Sequence, residues 1–244
     1  MTKSSSFNPN VMPEAEVYEQ ELRYMPYRES LERVTDIIRD RAPQDARLLD
    51  LMCGTGHLLG EISKIRKDMK LVGVDIDSRY ISHADFRYRS VLFETGDVLT
   101  WEPPIWFNIV TCTGALHHVP YELQETAIKR MSEMITPEGF VIISDCYIDD
   151  YNSESERGLA AAKLGYEYLI AMMKNGAPRD AISGAIDIMR NDVLMDEFKT
   201  SLKRRMPAFE RAFGRVETFK TWPKEETEYG DYITVLRNPL EVGK

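Results

Sequence analysis

The chain has 244 residues, 43% of them hydrophobic and 29% charged, with a formal net charge of −9. That composition supplies one sizeable α/β core, and the acidic balance argues against phosphate-driven nucleic-acid binding, which needs a clustered positive surface. No run of about 18 apolar residues is present to cross a bilayer, so the expectation is a cytoplasmic protein with no membrane or nucleic-acid partner.

The amino terminus, MTKSSSFNPN, reads as a frayed tail without an apolar signal segment. Residues 14–40 carry helical periodicity in two pieces divided at Pro26. The first runs through Val17, Leu22 and Met25, the second through Leu31, Val34, Ile37 and Ile38. β-α alternation follows. Strands are expected at Leu48–Met52, Leu71–Val74, Val91–Phe93, Ile109–Cys112 and Phe140–Ser144, and helices at Leu58–Ile65, at Tyr80–Tyr88 and along the Ala127, Ile128, Met131, Met134, Ile135 stripe. Pro137-Glu138-Gly139 reads as a turn. Near-continuous apolar strands separated by helices predict a doubly wound, mostly parallel sheet covered on both faces.

After Asp145 the pattern changes. Ser153-Glu154-Ser155-Glu156 has the form of a capping box. Leu159, Ala162, Tyr166, Leu169/Ile170 and Met173 then recur at helical spacing until Gly176 and Pro178. Helical text continues through Ile182, Ile186 and Met189, then Phe198, Leu202 and Phe209, and the Lys203-Arg204-Arg205 run within it reads as a solvated face. Val216–Thr221 and Tyr232–Leu236 are two closing strands, making seven. Roughly 60 residues of helix between the fifth strand and the last two suggest a lid or an interface. The expected organisation is a single domain: tail and helical cap 1–45, cofactor-binding core 46–149, helical insertion 150–214 and closing strands 215–244.

The most informative stretch is the first strand-to-helix bend. Asp50 sits inside an apolar strand, where an unpartnered carboxylate is costly. Cys53-Gly54-Thr55-Gly56 then brings backbone N–H groups to the surface of a tight turn, as a bound ligand requires. The dinucleotide fingerprint G-x-G-x-x-G is not met, because Leu59 occupies the third glycine position and Gly60 comes one residue late.

With its acid and alternate glycines, Asp50-Leu51-Met52-Cys53-Gly54-Thr55-Gly56 resembles the first motif of the class I S-adenosylmethionine (SAM) methyltransferases, with Met52 in the place of the first glycine. Val74-Asp75-Ile76-Asp77, Gly96-Asp97-Val98 and Asn108-Ile109-Val110 through Leu116-His117-His118 follow in the family's order, over roughly residues 45–145. The resemblance implies the seven-stranded Rossmann-like fold with a helical cap and an insertion after the fifth strand. It implies SAM as cofactor, with Asp50 and the Met52–Gly56 backbone holding its methionine portion. Asp75 with Ile76 would hold the ribose, Asp97 and Val98 the adenine, and Thr113 would also bind the cofactor. Asn108, where an aspartate is common, reads as structural.

Methyl transfer needs a nucleophile placed in line behind the methyl carbon, and a base if that nucleophile is neutral. His117 and His118 are the base candidates, against loop packing as the plainer role. No third ligand lies near them in sequence, so no metal is expected. Tyr18, Tyr24 and Tyr27 in the cap, and Tyr147, Tyr151, Tyr166 and Tyr168 beyond the fifth strand, offer aromatic faces to a sulfonium. Tyr18 and Tyr24 are the chosen catalytic candidates among them. Cys53, Cys112 and Cys146 read as reduced thiols.

The leading expectation is a methyltransferase acting on a small molecule in small-molecule biosynthesis, in a lidded pocket, with a homodimer open. The chain also resembles, more faintly, the azetidine-2-carboxylate synthases, in which SAM closes its own ring and releases methylthioadenosine. A silent SAM-binding protein and a nicotinamide oxidoreductase are the remaining readings.

Overall fold

The computed structural model describes residues 13–194 and 196–240; the amino-terminal tail reading lies outside them. Seven strands, β1 (Arg47–Leu51), β2 (Lys70–Asp75), β3 (Leu92–Thr95), β4 (Phe107–Thr113), β5 (Ile135–Tyr147), β6 (Phe213–Trp222) and β7 (Gly230–Pro239), form one sheet in the order β3-β2-β1-β4-β5-β7-β6. The first five are parallel, and β7 runs antiparallel to both of its neighbours.

The apolar strands are buried on both faces because their side chains alternate between two cores. Leu48, Ile109, Ile142 and Val235 point into one; Leu49, Leu51, Val110, Val141 and Leu236 point into the other. The first core is covered by α2 (Tyr27–Arg41), α3 (His57–Ile65) and α4 (Ser78–Arg87), the second by α5 (Tyr121–Glu133) and α8 (Leu202–Ala212). Strand order reverses between β1 and β4, which opens a crevice at the carboxyl ends of those strands, where open α/β sheets bind ligands. Asn108 has the structural role expected of it: its Oδ1 accepts from the Arg47 N–H at 2.9 Å and ties β4 to the start of β1.

The insertion consists of α6 (Glu154–Lys174), α7 (Arg179–Val193) and an extended segment, 196–200, that leads into α8. Ser153 caps α6 as its motif predicts, its Oγ accepting from the Glu156 N–H at 3.2 Å, while Glu156 Oε2 accepts from the Asn152 N–H at 2.7 Å. Gly165 lets α6 and α7 cross closely, since a Cβ there would stand 2.8 Å from Met189. With α1 (Ala15–Leu22), these two helices cover the crevice.

Four expectations are corrected. Pro137-Glu138-Gly139 is no free turn but an irregular stretch inside β5, whose pairing with β4 jumps from Phe107↔Ile135 to Ile109↔Phe140. The Leu159, Tyr166, Met173 stripe of α6 faces outward, at 70%, 55% and 59% exposure, because the small residues Ala160, Ala161 and Gly165 with Leu164 make the packing face. Phe198 lies in the extended segment and not in a helix. Arg205 is buried, while Lys203 and Arg204 pair with Asp150, so the basic run is only partly a solvated face.

Candidate functional site: a covered pocket at the sheet's switch point

β1 passes into α3 through five residues, three of which take left-handed backbone: Met52 (φ 58°), Gly54 (φ 53°) and Gly56 (φ 74°). Glycine suits the last two positions. At Gly56 a Cβ would also fall 2.7 Å from the Phe93 ring, so this glycine serves helix-sheet packing and does not line the pocket. Met52 adopts the same conformation with a side chain, at a cost of about 1–2 kcal/mol, and that side chain lines the pocket.

The hinge is latched to the end of β2. Asp75 Oδ2 accepts from the Gly54 N–H and Oδ1 from the Asp77 N–H, both at 2.8 Å. Burial raises the Asp75 pKa to about 6, and the backbone donors from Asp77 and Gly54 hold it from going higher. In front of this latch lies a cavity of about 370 Å³. The hinge and Asp75 form its floor, Tyr18 and Tyr27 come from the cap, and the insertion roofs it. One buried hydroxyl on its wall, Thr55 Oγ1, has no hydrogen-bond partner among the described residues, while the buried Tyr27 hydroxyl interacts with Thr113.

Residues 48–139 match a family described as a methyltransferase domain. Over that stretch the chain is similar to methyltransferase domains. The ubiquinone biosynthesis O-methyltransferase of Paracidovorax citrulli is 28% identical over 143 residues, 54% of this chain and 55% of that protein. The trans-aconitate 2-methyltransferase of Variovorax paradoxus is 31% identical over 127 residues, 52% and 46% of the two chains. The chain thus spans about half the length of the curated relatives it matches. Among solved structures, the N-methyltransferase NodS of Bradyrhizobium japonicum WM9, solved with S-adenosyl-L-homocysteine (SAH), shares the fold with a TM-score of 0.60. The match covers 93% of this chain and 98% of that one at 14% identity.

Of the residues expected from the sequence, Met52, Cys53, Gly54, Thr55, Asp75, Ile76 and Thr113 all line the cavity, as do Tyr18, His117 and His118. Other expected residues do not. Asp50 is 1% exposed and lies off the cavity, its Oδ1 accepting from Thr111 Oγ1 at 2.6 Å. Burial raises its pKa to about 7 against the effect of that hydroxyl. Asp97 closes the turn after β3 by accepting from the Leu99 N–H at 2.9 Å, and Val98 is buried in the second core; neither lines the cavity. Tyr24 packs against the first core and is likewise absent from the cavity wall, because it falls in the bend between α1 and α2.

The two histidines divide. His117 Nδ1 lies 2.6 Å from Asp145 Oδ1, and its Nε2 lies 3.6 Å from Glu197 Oε2. Burial opposes its charge, but Cys146 and Asp145 outweigh burial and hold its pKa well above the ordinary histidine value. A histidine held as imidazolium has no lone pair to offer. Burial, then the neighbouring His117, lowers His118 to about 4, which leaves it neutral but a weak base.

The insertion adds residues that sequence reasoning did not select. Asp192, Glu197 and Lys199 line the cavity and are buried, and the Lys199 ammonium donates to both carboxylates. Glu197 also supplies, in space, the third potential metal ligand that is missing near His117 and His118 in sequence; the three ligand atoms lie within 4.8 Å of one another. The place a cation would take on Glu197 is held by Lys199, so the cluster is an ion-pair network. Arg157, wholly buried, fastens this segment by donating to the Lys199 carbonyl at 2.9 Å and the Glu197 carbonyl at 2.7 Å. No sequence pattern announces that Asp192 in a helix and Glu197 and Lys199 in an extended segment meet His117 across the pocket.

Proposed function

We propose that the chain transfers the methyl group of SAM to a small molecule held in the covered cavity. The observation that carries this reading is the joint lining of one cavity by the glycine hinge, Asp75 and the insertion. The residues present fit the cofactor: Asp75 offers a carboxylate at the strand end, and Thr55 offers a buried hydroxyl with no partner among the described residues. Asp75 would receive the ribose hydroxyls, and the Gly54 region would face the amino-acid side of the molecule. When bound, SAM supplies a methyl carbon already activated on a sulfonium. The cavity lies at the small end of ligand pockets, which supports a compact acceptor over a macromolecule.

The work left to the protein is positioning and exclusion of water. Tyr18 and Tyr27 line the cavity with aromatic rings, which favour a cation by about 0.5–2 kcal/mol. His117 is held as a cation, and His118 is too weakly basic to take a proton from a poor acid. The acceptor atom therefore has to arrive already carrying its lone pair, as a carboxylate, a thiolate or a neutral amine does.

The same observation favours a second reading, in which SAM is itself the substrate. Its α-amine, once neutral, attacks its own γ-carbon as the γ-carbon–sulfur bond breaks; methylthioadenosine leaves and the ring nitrogen gives up a proton to water. A compact cavity suits a reaction that needs no second substrate.

Incubation of the purified protein with SAM, with and without a panel of small acceptors, read by mass spectrometry, tests both. SAH formed only with an acceptor supports methyl transfer. Methylthioadenosine with a cyclic amino acid, from SAM alone, supports ring closure. Absence of SAM binding by calorimetry refutes both.

A further inference from the structure

In the methyltransferase family the acid of the first strand serves the methionine portion of SAM. Here that acid, Asp50, is walled off behind Thr111 and lies outside the cavity, while Met52 occupies the wall two residues on. The nucleoside side of the pocket has Asp75; the hinge shows no exposed acid for an ammonium group. A different set of charges reaches the cavity from the opposite side.

Lys199, Asp192 and Glu197 are 4%, 1% and 4% exposed, and all three line the cavity. The Lys199 Nζ lies 2.6 Å from Asp192 Oδ1 and also donates to Glu197 Oε2. An ammonium has three donors, so one N–H of Lys199 remains for a further acceptor. Each carboxylate likewise keeps a second oxygen, Asp192 Oδ2 and Glu197 Oε1, that accepts no hydrogen bond among the described residues. Two buried carboxylates against one ammonium leave a negative excess. The pair of His117 and Asp145 beside them, charged oppositely, does not offset it. Tyr18 lines the same cavity as Asp75 and this cluster.

A buried site with one available cationic donor next to available anionic acceptors matches a zwitterion. We propose that Asp192, Glu197 and Lys199 form a recognition site for an α-amino acid head group, Lys199 receiving its carboxylate and Glu197 with Asp192 its ammonium. The proposal rests on the SAM-binding reading of the cavity. One head-group chemistry has two sources, the methionine end of SAM and a separate amino-acid acceptor.

Calorimetry with SAM, methylthioadenosine (the same nucleoside without the head group) and, on SAH-saturated protein, each L-amino acid separates them. The variants are Lys199→Met and Glu197→Gln, checked for folding by circular dichroism. If the cluster holds the head of SAM, both variants lose SAM affinity about tenfold or more, as expected for loss of a buried charge-assisted bond, and keep methylthioadenosine affinity. If it holds an acceptor, SAM and methylthioadenosine are unaffected, and an amino acid that binds the SAH-saturated wild type no longer binds the variants.

Should the variants fail to fold, the wild type carries the test: decarboxylated SAM has to bind about tenfold or more weakly than SAM in the first case, and an amino acid has to bind the SAH-saturated protein in the second. Unchanged SAM and methylthioadenosine affinity with no amino acid bound overturns the proposal, as does an equal fall for both nucleosides. Methylthioadenosine that fails to bind the wild type overturns the nucleoside reading itself.

Discussion

Glu21 is the most informative residue to perturb. It lies in α1 at 0% exposure with both carboxylate oxygens lacking a hydrogen-bond partner among the described residues. It packs so closely on α7 that a Cβ at Gly184 would overlap it. Burial, then repulsion from Asp187, raises its pKa from 4.5 to about 7. Because the folded pKa lies above the unfolded one, the folded state binds the proton more tightly. The associated stability is intact below pH 4.5 and is lost as pH rises through about 7. At pH 8 the penalty reaches at most about 3 kcal/mol at 1.36 kcal/mol per pH unit, and about 1–3 kcal/mol once water reaching a helix interface is allowed for. Glu21→Gln keeps the shape and removes the charge. Its melting temperature at pH 8 is expected to exceed the wild type's by about 3–8 °C, with the gain shrinking towards pH 5. Urea titration at both pH values checks the free energy. A variant less stable than wild type at pH 8, or a gain independent of pH, refutes the reasoning.

Four further outcomes are expected. Gly56→Ala places a Cβ 2.7 Å from Phe93 at a left-handed position and lowers stability by roughly 2–4 kcal/mol in urea unfolding. Met52→Gly is more stable than Met52→Ala by about 1 kcal/mol, since both lose the thioether but only alanine keeps the strain of φ 58°. Thr111→Val removes the donor to Asp50, so unfolding free energy falls by about 1–3 kcal/mol at pH 8 and by less at pH 5, where Asp50 is protonated. Asp145→Asn removes the carboxylate held 2.6 Å from His117, and the His117 ring, followed by NMR, titrates at lower pH than in the wild type.

The core was legible because its signals are local. The strands β1, β2, β4 and β5 show in sequence as apolar runs, and a hinge with Gly54 and Gly56 can be read without coordinates since left-handed backbone selects glycine. What failed was anything set by distant neighbours. The motif places Asp50 at the strand end but does not show that a threonine on the adjacent strand donates to it. Periodicity in α6 picks Leu159, Tyr166 and Met173, because large apolar residues dominate such a count. The true packing face is made of alanine and glycine, chosen for close helix contact with α7. Periodicity carries helix through Phe198 because nothing local says that Arg157, about forty residues upstream in α6, pins the carbonyls of Glu197 and Lys199 outside a helix.

That pinning also fixes one side of the pocket's roof. The Phe198 N–H donates to the His117 carbonyl at 2.7 Å and the Ile148 N–H to the Thr200 carbonyl at 3.1 Å, stitching the roof to the tops of the central strands. A wall sewn down at both ends of a five-residue strip makes a poor door. The facing joint is different, because α1 leans on α7 around the Glu21 carboxyl, which has no hydrogen-bond partner among the described residues. Proton loss there weakens this joint as pH rises through about 7, while the stitched strip keeps its backbone bonds.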